Sequence, residues 1–461
     1  MKAILYSLLS AGACLAPTVL FSQVEPGTYE GQTFDSLSIS SPDQSSEWIF
    51  NSCTFTNSSG ISLTPKDGVE YSVKIYESNL VLSSLKLNNS AANSSSYFEL
   101  SGSADRRSSL AVAANWQFGT WLSGLENSQV SQTIHIAGYT DVNVNTVNLS
   151  SDGGQLSGAA LVEISGASNT FNVSGNTYIG SNNQTQGANY SAMLKISGAD
   201  GAKSVATFGG DLNIYSSNNI SSGFHMAGNS EASISGVFRL FSASGTSTFK
   251  MNGSGNKLTF TGAQFAVGET STGGVSNFEI SGSNNELSVT SQYDVWFGNV
   301  NQGKTNVTIS GSGHTINFNK NIAFRAGYED GTTLLFEADE NGVSTIYAAG
   351  VRTFENTELV LDFTNFVGDG SGVYEVALIS TTNDWSALAR QFVGSSEGGE
   401  SSANVIMGAN GESWEIAYSG SGELIFSYTY AVPEPSTFAA IAGALALAFA
   451  AYRRKKAFLG G

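Results

Sequence analysis

Three histidines, His135, His225 and His314, are the natural acids, bases or metal ligands of this chain. His135 and His225 each stand three residues before a glycine, in Ile134-His135-Ile136-Ala137-Gly138 and Phe224-His225-Met226-Ala227-Gly228. Other copies of that motif carry Glu99, Glu163, Lys195, Lys250, Glu279 and Thr308 at the same place. A position that accepts Glu, Lys, His and Thr within one chain reads as a solvent-facing stripe. His314 follows Gly311 in a polar turn and reads as a loop residue. There is no His-x-x-x-His, Cys-x-x-Cys or Walker-type loop, so zinc and nucleotide chemistry lack a motif and no cofactor is expected. The Gly-Ser-Gly strings read as turns, since none joins a strand to a phosphate-binding helix.

Cleaving a polysaccharide requires clustered carboxylates, either as paired acid and base or as calcium ligands beside a Lys or Arg base. The candidates Asp339, Glu340, Asp362, Asp369 and Asp384 are scattered near the C-terminal end, and solvated surface charge is the simpler reading. A calcium loop at Asp369-Gly370-Ser371-Gly372 or at 337–341 would lack the ligand spacing of a known site.

The elements that must position these residues are repeats. The unit is apolar, any, apolar, small, Gly, as in Phe98-Glu99-Leu100-Ser101-Gly102 and Val307-Thr308-Ile309-Ser310-Gly311, and its glycines recur every 25 to 36 residues. Strict alternation inside the unit is that of a strand with one buried face. Five and seven residues after the glycine come Phe171 and Val173, Leu258 and Phe260, Leu287 and Val289, Ile316 and Phe318, a second strand. A third short segment follows, as in Thr177-Tyr178-Ile179-Gly180 and Val295-Trp296-Phe297-Gly298. Three strands and a variable loop per unit predict one coil of an all-β, parallel β-solenoid, a right-handed β-helix with three strands per coil. A β-sandwich or propeller is the alternative, but propeller blades need about 40 to 50 residues. Leu359 to Phe363, Tyr374 to Ile379 and the hairpin from Trp414 to Tyr428 predict an antiparallel cap over the open end.

Composition agrees. Gly contributes 52 of 461 residues, charged residues are only 13% and apolar ones 41%, which excludes charge-rich disorder. The formal charge is −18, from 20 basic and 38 acidic residues, and Lys2, Arg453, Arg454, Lys455 and Lys456 all lie in the end segments. A body that acidic repels phosphate backbones, so no nucleic-acid partner is expected. Of two cysteines, Cys14 falls in the leader described next, leaving Cys53 without a disulfide partner.

The ends carry the most specific signals. Lys2, an apolar run from Ala3 to Phe21 and the small Ser22 read as a secretory signal peptide cleaved between Ser22 and Gln23. An acylated Cys14 after Ala11-Gly12-Ala13, or a permanent N-terminal helix interrupted by Pro17, are the alternatives. At the other end Val432-Pro433-Glu434-Pro435 precedes an apolar stretch, 438–452, and Arg453-Arg454-Lys455-Lys456. A helix over that stretch is about 22 Å long against a hydrocarbon core of about 30 Å, marginal as a permanent transmembrane anchor. The basic cluster would hold the tail cytoplasmic and everything before Pro433 outside. These roughly thirty residues resemble the PEP-CTERM sorting signal, with Pro433-Glu434-Pro435 as its signature tripeptide. The resemblance implies a Gram-negative bacterial protein that engages the inner membrane transiently and is recognised and cut by an exosortase-like membrane protease. It covers under a tenth of the chain, and an ordinary C-terminal anchor remains the plainer alternative. The body looks similar to autotransporter-passenger and filamentous-adhesin β-helices, without a motif diagnostic of one family.

The expected organisation is a signal peptide over 1–22, an N-terminal cap and early coils over 23–92, solenoid repeats over 93–350, a β cap over 351–430 and the sorting segment over 431–461. The expected function is an exported, noncatalytic surface or matrix protein engaged in adhesion or exopolysaccharide association, with extracellular glycans as partners. A secreted polysaccharide lyase or hydrolase on the same scaffold is the alternative. A passenger carrying its own outer-membrane barrel is disfavoured, because the chain ends in an apolar helix and basic cluster rather than amphipathic strands.

Overall fold

A computed structural model describes residues 18–19, 23–34, 39–55, 60–88, 91–118, 129–149, 157–180, 190–199, 201–217, 220–269, 273–298, 303–325, 331–399, 401–432 and 435–458. The described residues are all-β apart from two helices. Fourteen described strands stack in parallel into one long sheet, beginning Gly27–Glu30, Ser46–Asn51, Glu70–Tyr76, Ser95–Ser101 and ending Thr357–Asp362, Ala403–Ile406. Most coils add two shorter strands to a second sheet, for example Thr170–Val173 and Thr177–Ile179 after Ser157–Ser165, whereas Ser108–Phe118 and Thr140–Leu149 each run through both positions as one strand. The expected parallel β-solenoid is therefore the architecture. The variable loops after the third strands, such as 181–189 and 326–330, lie outside the described residues.

Register explains why the motif repeats. Phe224, Phe249 and Phe278 are successive partners along the long sheet, all buried, with ring centroids 5.8 and 5.0 Å apart. One residue on, the chain faces outward; two residues on, Met226, Met251 and Ile280 form the next buried column. A single coil has no opposite face to bury these side chains against, so burial and backbone pairing both depend on the neighbouring coils. The recurrent glycine is needed for close approach at the corner: Gly282 has φ +94°, and a Cβ there would stand 2.1 Å from the carbonyl oxygen of Gly253.

Parallel pairing runs past the expected limit at residue 350. Thr357–Asp362, assigned from sequence to the antiparallel cap, pairs parallel with Thr332–Glu337 on one side and Ala403–Ile406 on the other. Leu359 and Leu361 continue the buried columns of Leu334 and Phe336. Asp362-Phe363 in place of the small-Gly pair hides this copy from the motif. The antiparallel cap begins with Val373–Thr381, which pairs with Glu423–Tyr430, itself paired with Gly411–Tyr418. Trp385 fastens the cap to the last coils, stacking on Phe354 at 5.9 Å and donating its indole N–H to the Gly422 carbonyl at 3.0 Å.

The C-terminal helix spans Pro435–Phe458, longer than the expected 438–452. Proline is tolerated at a helix's first position, and Arg and Lys are good helix formers favoured near its C-terminus, so both flanks extend the apolar stretch. Among the described residues no helix is long and apolar enough to cross a membrane. Near the N-terminus Thr18–Val19, inside the expected leader, pairs parallel with Thr33–Phe34.

Candidate functional site

The outward column of the long sheet brings the histidine position of every coil into one line. Lys74, Glu99, His135, Glu163, Lys195, His225, Lys250, Glu279 and Thr308 are successive register partners. His135 and His225 thus lie on the outer face as expected, but half-buried between neighbouring coils. Burial, reinforced by Lys195 and Lys250 on either side and opposed by Glu279, pushes the His225 imidazole down to about 4, so it is neutral near pH 7. The stripe carries local pairs: Lys74 to Glu47 at 2.6 Å and Lys250 to Glu279 at 2.7 Å.

At the early coils this face deepens into an open cleft of about 490 Å³, lined by Glu47, Glu70, Lys74, Tyr97 and Glu99. The Tyr97 hydroxyl donates to Glu99 at 2.8 Å and lies 3.3 Å from His135 Nδ1, while His135 Nε2 is 2.8 Å from Ser165 Oγ. Burial, then the Glu99 carboxylate, raises the Tyr97 hydroxyl well above the usual phenol range. Donors and acceptors arrayed over an open, shallow surface suit a polyhydroxylated ligand.

His314 departs from the simple loop reading. It lies in the turn but is only 6% exposed, and it belongs to an internal polar ladder. The Ser230 N–H donates to Asn256 Oδ1, the Asn256 N–H to Asn285 Oδ1, the Asn285 N–H to His314 Nδ1 and the His314 N–H to Ser344 Oγ, at 2.9 to 3.2 Å. Since Nδ1 accepts, the ring proton sits on Nε2, which donates to the Ser310 carbonyl at 3.0 Å. Burial lowers the imidazole's pKa, keeping it neutral, against smaller opposing effects of Ser310 and Asp339. The ladder satisfies corner N–H groups that would otherwise be buried unpaired. Asn169, Asn256, Asn285 and His314 each stand three residues after the repeat glycine, a regularity that the sequence itself carries.

The five candidate carboxylates do not converge on a common centre. Asp339 accepts from the N–H groups of Ser312, Asn341 and Gly342, Asp362 from Thr364, Asp369 from Ser371 and Tyr430, and Asp384 from Ser386 and Tyr418. The two stretches weighed above for calcium thus use Asp339 and Asp369 to hold turns. Glu340 accepts no side-chain bond; its carbonyl receives the N–H groups of Val367 and Gly368. Among the described residues no group of three or more His, Cys, Asp or Glu side chains is placed to hold a metal ion.

The expected processing residues lie at the two extremes. Ser22 is outside the described residues; Gln23 is exposed and directly precedes Val24, a core residue. Val432 is 42% exposed, Pro433 and Glu434 lie outside the described residues, Pro435 opens the terminal helix, and Arg453, Arg454, Lys455 and Lys456 lie within it. Along that helix Ile441, Leu445, Leu447, Phe449 and Tyr452 are all more than half exposed. Comparison with protein-family models, curated proteins and solved structures finds no match for this chain.

Proposed function

We propose that this is an exported, noncatalytic surface or matrix protein of a Gram-negative bacterium. Its solenoid winds right-handed, the hand that parallel strand crossovers favour. The leader is removed between Ser22 and Gln23, and the chain is delivered through its C-terminal segment to an exosortase-like protease in the inner membrane. There the Pro435–Phe458 helix serves as a sorting element that engages the membrane transiently, with Val432, Pro433, Glu434 and Pro435 presented for processing and Arg453 to Lys456 toward the cytoplasmic side. The observation that carries this reading is the row of exposed apolar side chains from Ile441 to Tyr452, set outside the core of an otherwise well-buried protein. An apolar helix with no protein surface to bury it calls for another apolar environment.

The mature rod would associate with extracellular glycans through its outward face. A binding role is favoured over a lyase or hydrolase because the candidate carboxylates are hydrogen-bonded within turns or to a neighbouring coil and do not gather at one centre. The test is to express the chain in an exosortase-bearing host beside a variant with Pro433→Ala, Glu434→Ala and Pro435→Ala. The wild type should leave the membrane fraction with its tail removed, and the variant should remain there at higher mass. Release of both at one mass would refute the sorting role.

A further inference from the structure

Near the C-terminal end of the solenoid, two guanidinium groups gather at one aromatic ring. Arg325 Cζ lies 4.3 Å and Arg352 Cζ 5.3 Å from the centre of the Trp296 ring. Stacking engages the flat face of a guanidinium and leaves its N–H edge free to form a two-pronged contact. Arg352 is partly neutralised, since its Nη1 is 2.6 Å from Asp294, which Asn321 also holds at 3.2 Å. Arg325 has no ion-pair partner among the described residues, and its Nε is buried without a hydrogen-bond partner. Both arginines border a hollow of about 390 Å³ whose wall also includes Thr353, Glu355, Leu388 and Gln391.

We propose that Arg325 and Arg352, held against Trp296, form an oxyanion subsite that takes the carboxylate of an acidic, uronate-containing polysaccharide. Charge complementarity carries the choice of ligand: in a chain of net charge −18, two cations border one hollow, and Arg325 has no ion-pair partner among the described residues. Arginine forks match a carboxylate in geometry as well as charge. Glu355, the cross-strand partner of Arg325, stands on the same rim, and with the acidic body it disfavours a densely charged polyphosphate over a chain bearing one carboxylate per sugar. Thr353 and Gln391 supply polar groups for sugar hydroxyls, and Leu388 supplies an apolar contact for a ring face. The subsite deepens the glycan-binding reading and rests on it for where the ligand is met.

The experiment uses the full chain in detergent, retarded on immobilised polygalacturonate, with dextran as the neutral control and galacturonate or sulfate as free competitors. Retardation by polygalacturonate alone, at least tenfold weaker in Arg325→Gln, intermediate in Arg325→Lys and relieved by galacturonate, is the expected result. Arg352→Gln, on the exposed rim, should weaken it less and provides the reading if Arg325→Gln fails to fold. Unchanged retardation in a folded Arg325→Gln, or in Arg352→Gln if that variant alone folds, would overturn the subsite. So would equal binding to dextran, or displacement by sulfate as effective as by galacturonate, which would mark a site for free oxyanions. Loss of the subsite with tail removal intact would leave the sorting role standing.

Discussion

At the scale of single residues, His225 and His314 have different tasks. His225 sits on the outer stripe with a depressed pKa, so the unfolded chain takes up a proton near pH 6.5 while the folded chain resists until about 4. Its neutral form therefore contributes stability that is fully present above pH 6.5, declines as pH falls and levels off below about 4. Discounted for the part of the ring still in water, the loss is on the order of 1–2 kcal/mol. His225→Asn should flatten that part of the pH–stability curve, measured by urea unfolding at pH 7, 5.5 and 4. An unchanged slope would show that His225 is not the group responsible. Asn285 makes a different prediction. Asn285→Ala leaves the buried Asn256 N–H without its acceptor, and unfolding should become easier by about 2–3 kcal/mol. The outward position of His225 was legible because the same slot holds Lys and Glu in other copies. The inward position of His314 was not legible from alternation, which ends at the corner where the chain turns.

Among the elements, the two buried columns of each strand were readable in advance because a period of two admits only one assignment of faces. Phe265 tests how far the packing between coils is shared. Its ring stacks on Phe238 at 4.6 Å and meets Phe278 at 6.0 Å, so Phe265→Ala opens a cavity between three coils. A loss of about 3–5 kcal/mol is expected in denaturant unfolding, and a loss below 1 kcal/mol would mean that the coils do not interlock there. The boundary between coils and cap was misplaced because Asp362-Phe363 lacks the small-Gly ending, although Leu359 and Leu361 keep the periodicity. Trp385, which joins the cap to Phe354, carried no sequence signal of its own. Trp385→Ala should loosen the cap before the coils, seen as faster backbone hydrogen exchange over Val373–Thr381 while Ser276 to Ile280 stays protected.

For the whole molecule, the solenoid explains how a chain with so few charges and no disulfide among its described residues builds a continuous interior: each coil lends its neighbour a buried face and a partner for its backbone. Its end is closed by antiparallel strands, which limits edge-to-edge association. The Pro435–Phe458 helix stands apart, with Ile441, Leu445, Leu447, Phe449 and Tyr452 exposed and outside the core. Sorting of the kind proposed requires this segment to be an address that is read and removed. The most direct test is the intact mass of the protein recovered from its native host. A mature chain that begins at Gln23 and lacks the segment beyond the Pro433-Glu434-Pro435 region is the predicted result. A chain that keeps both residues 1–22 and the basic end at Lys456 would contradict it.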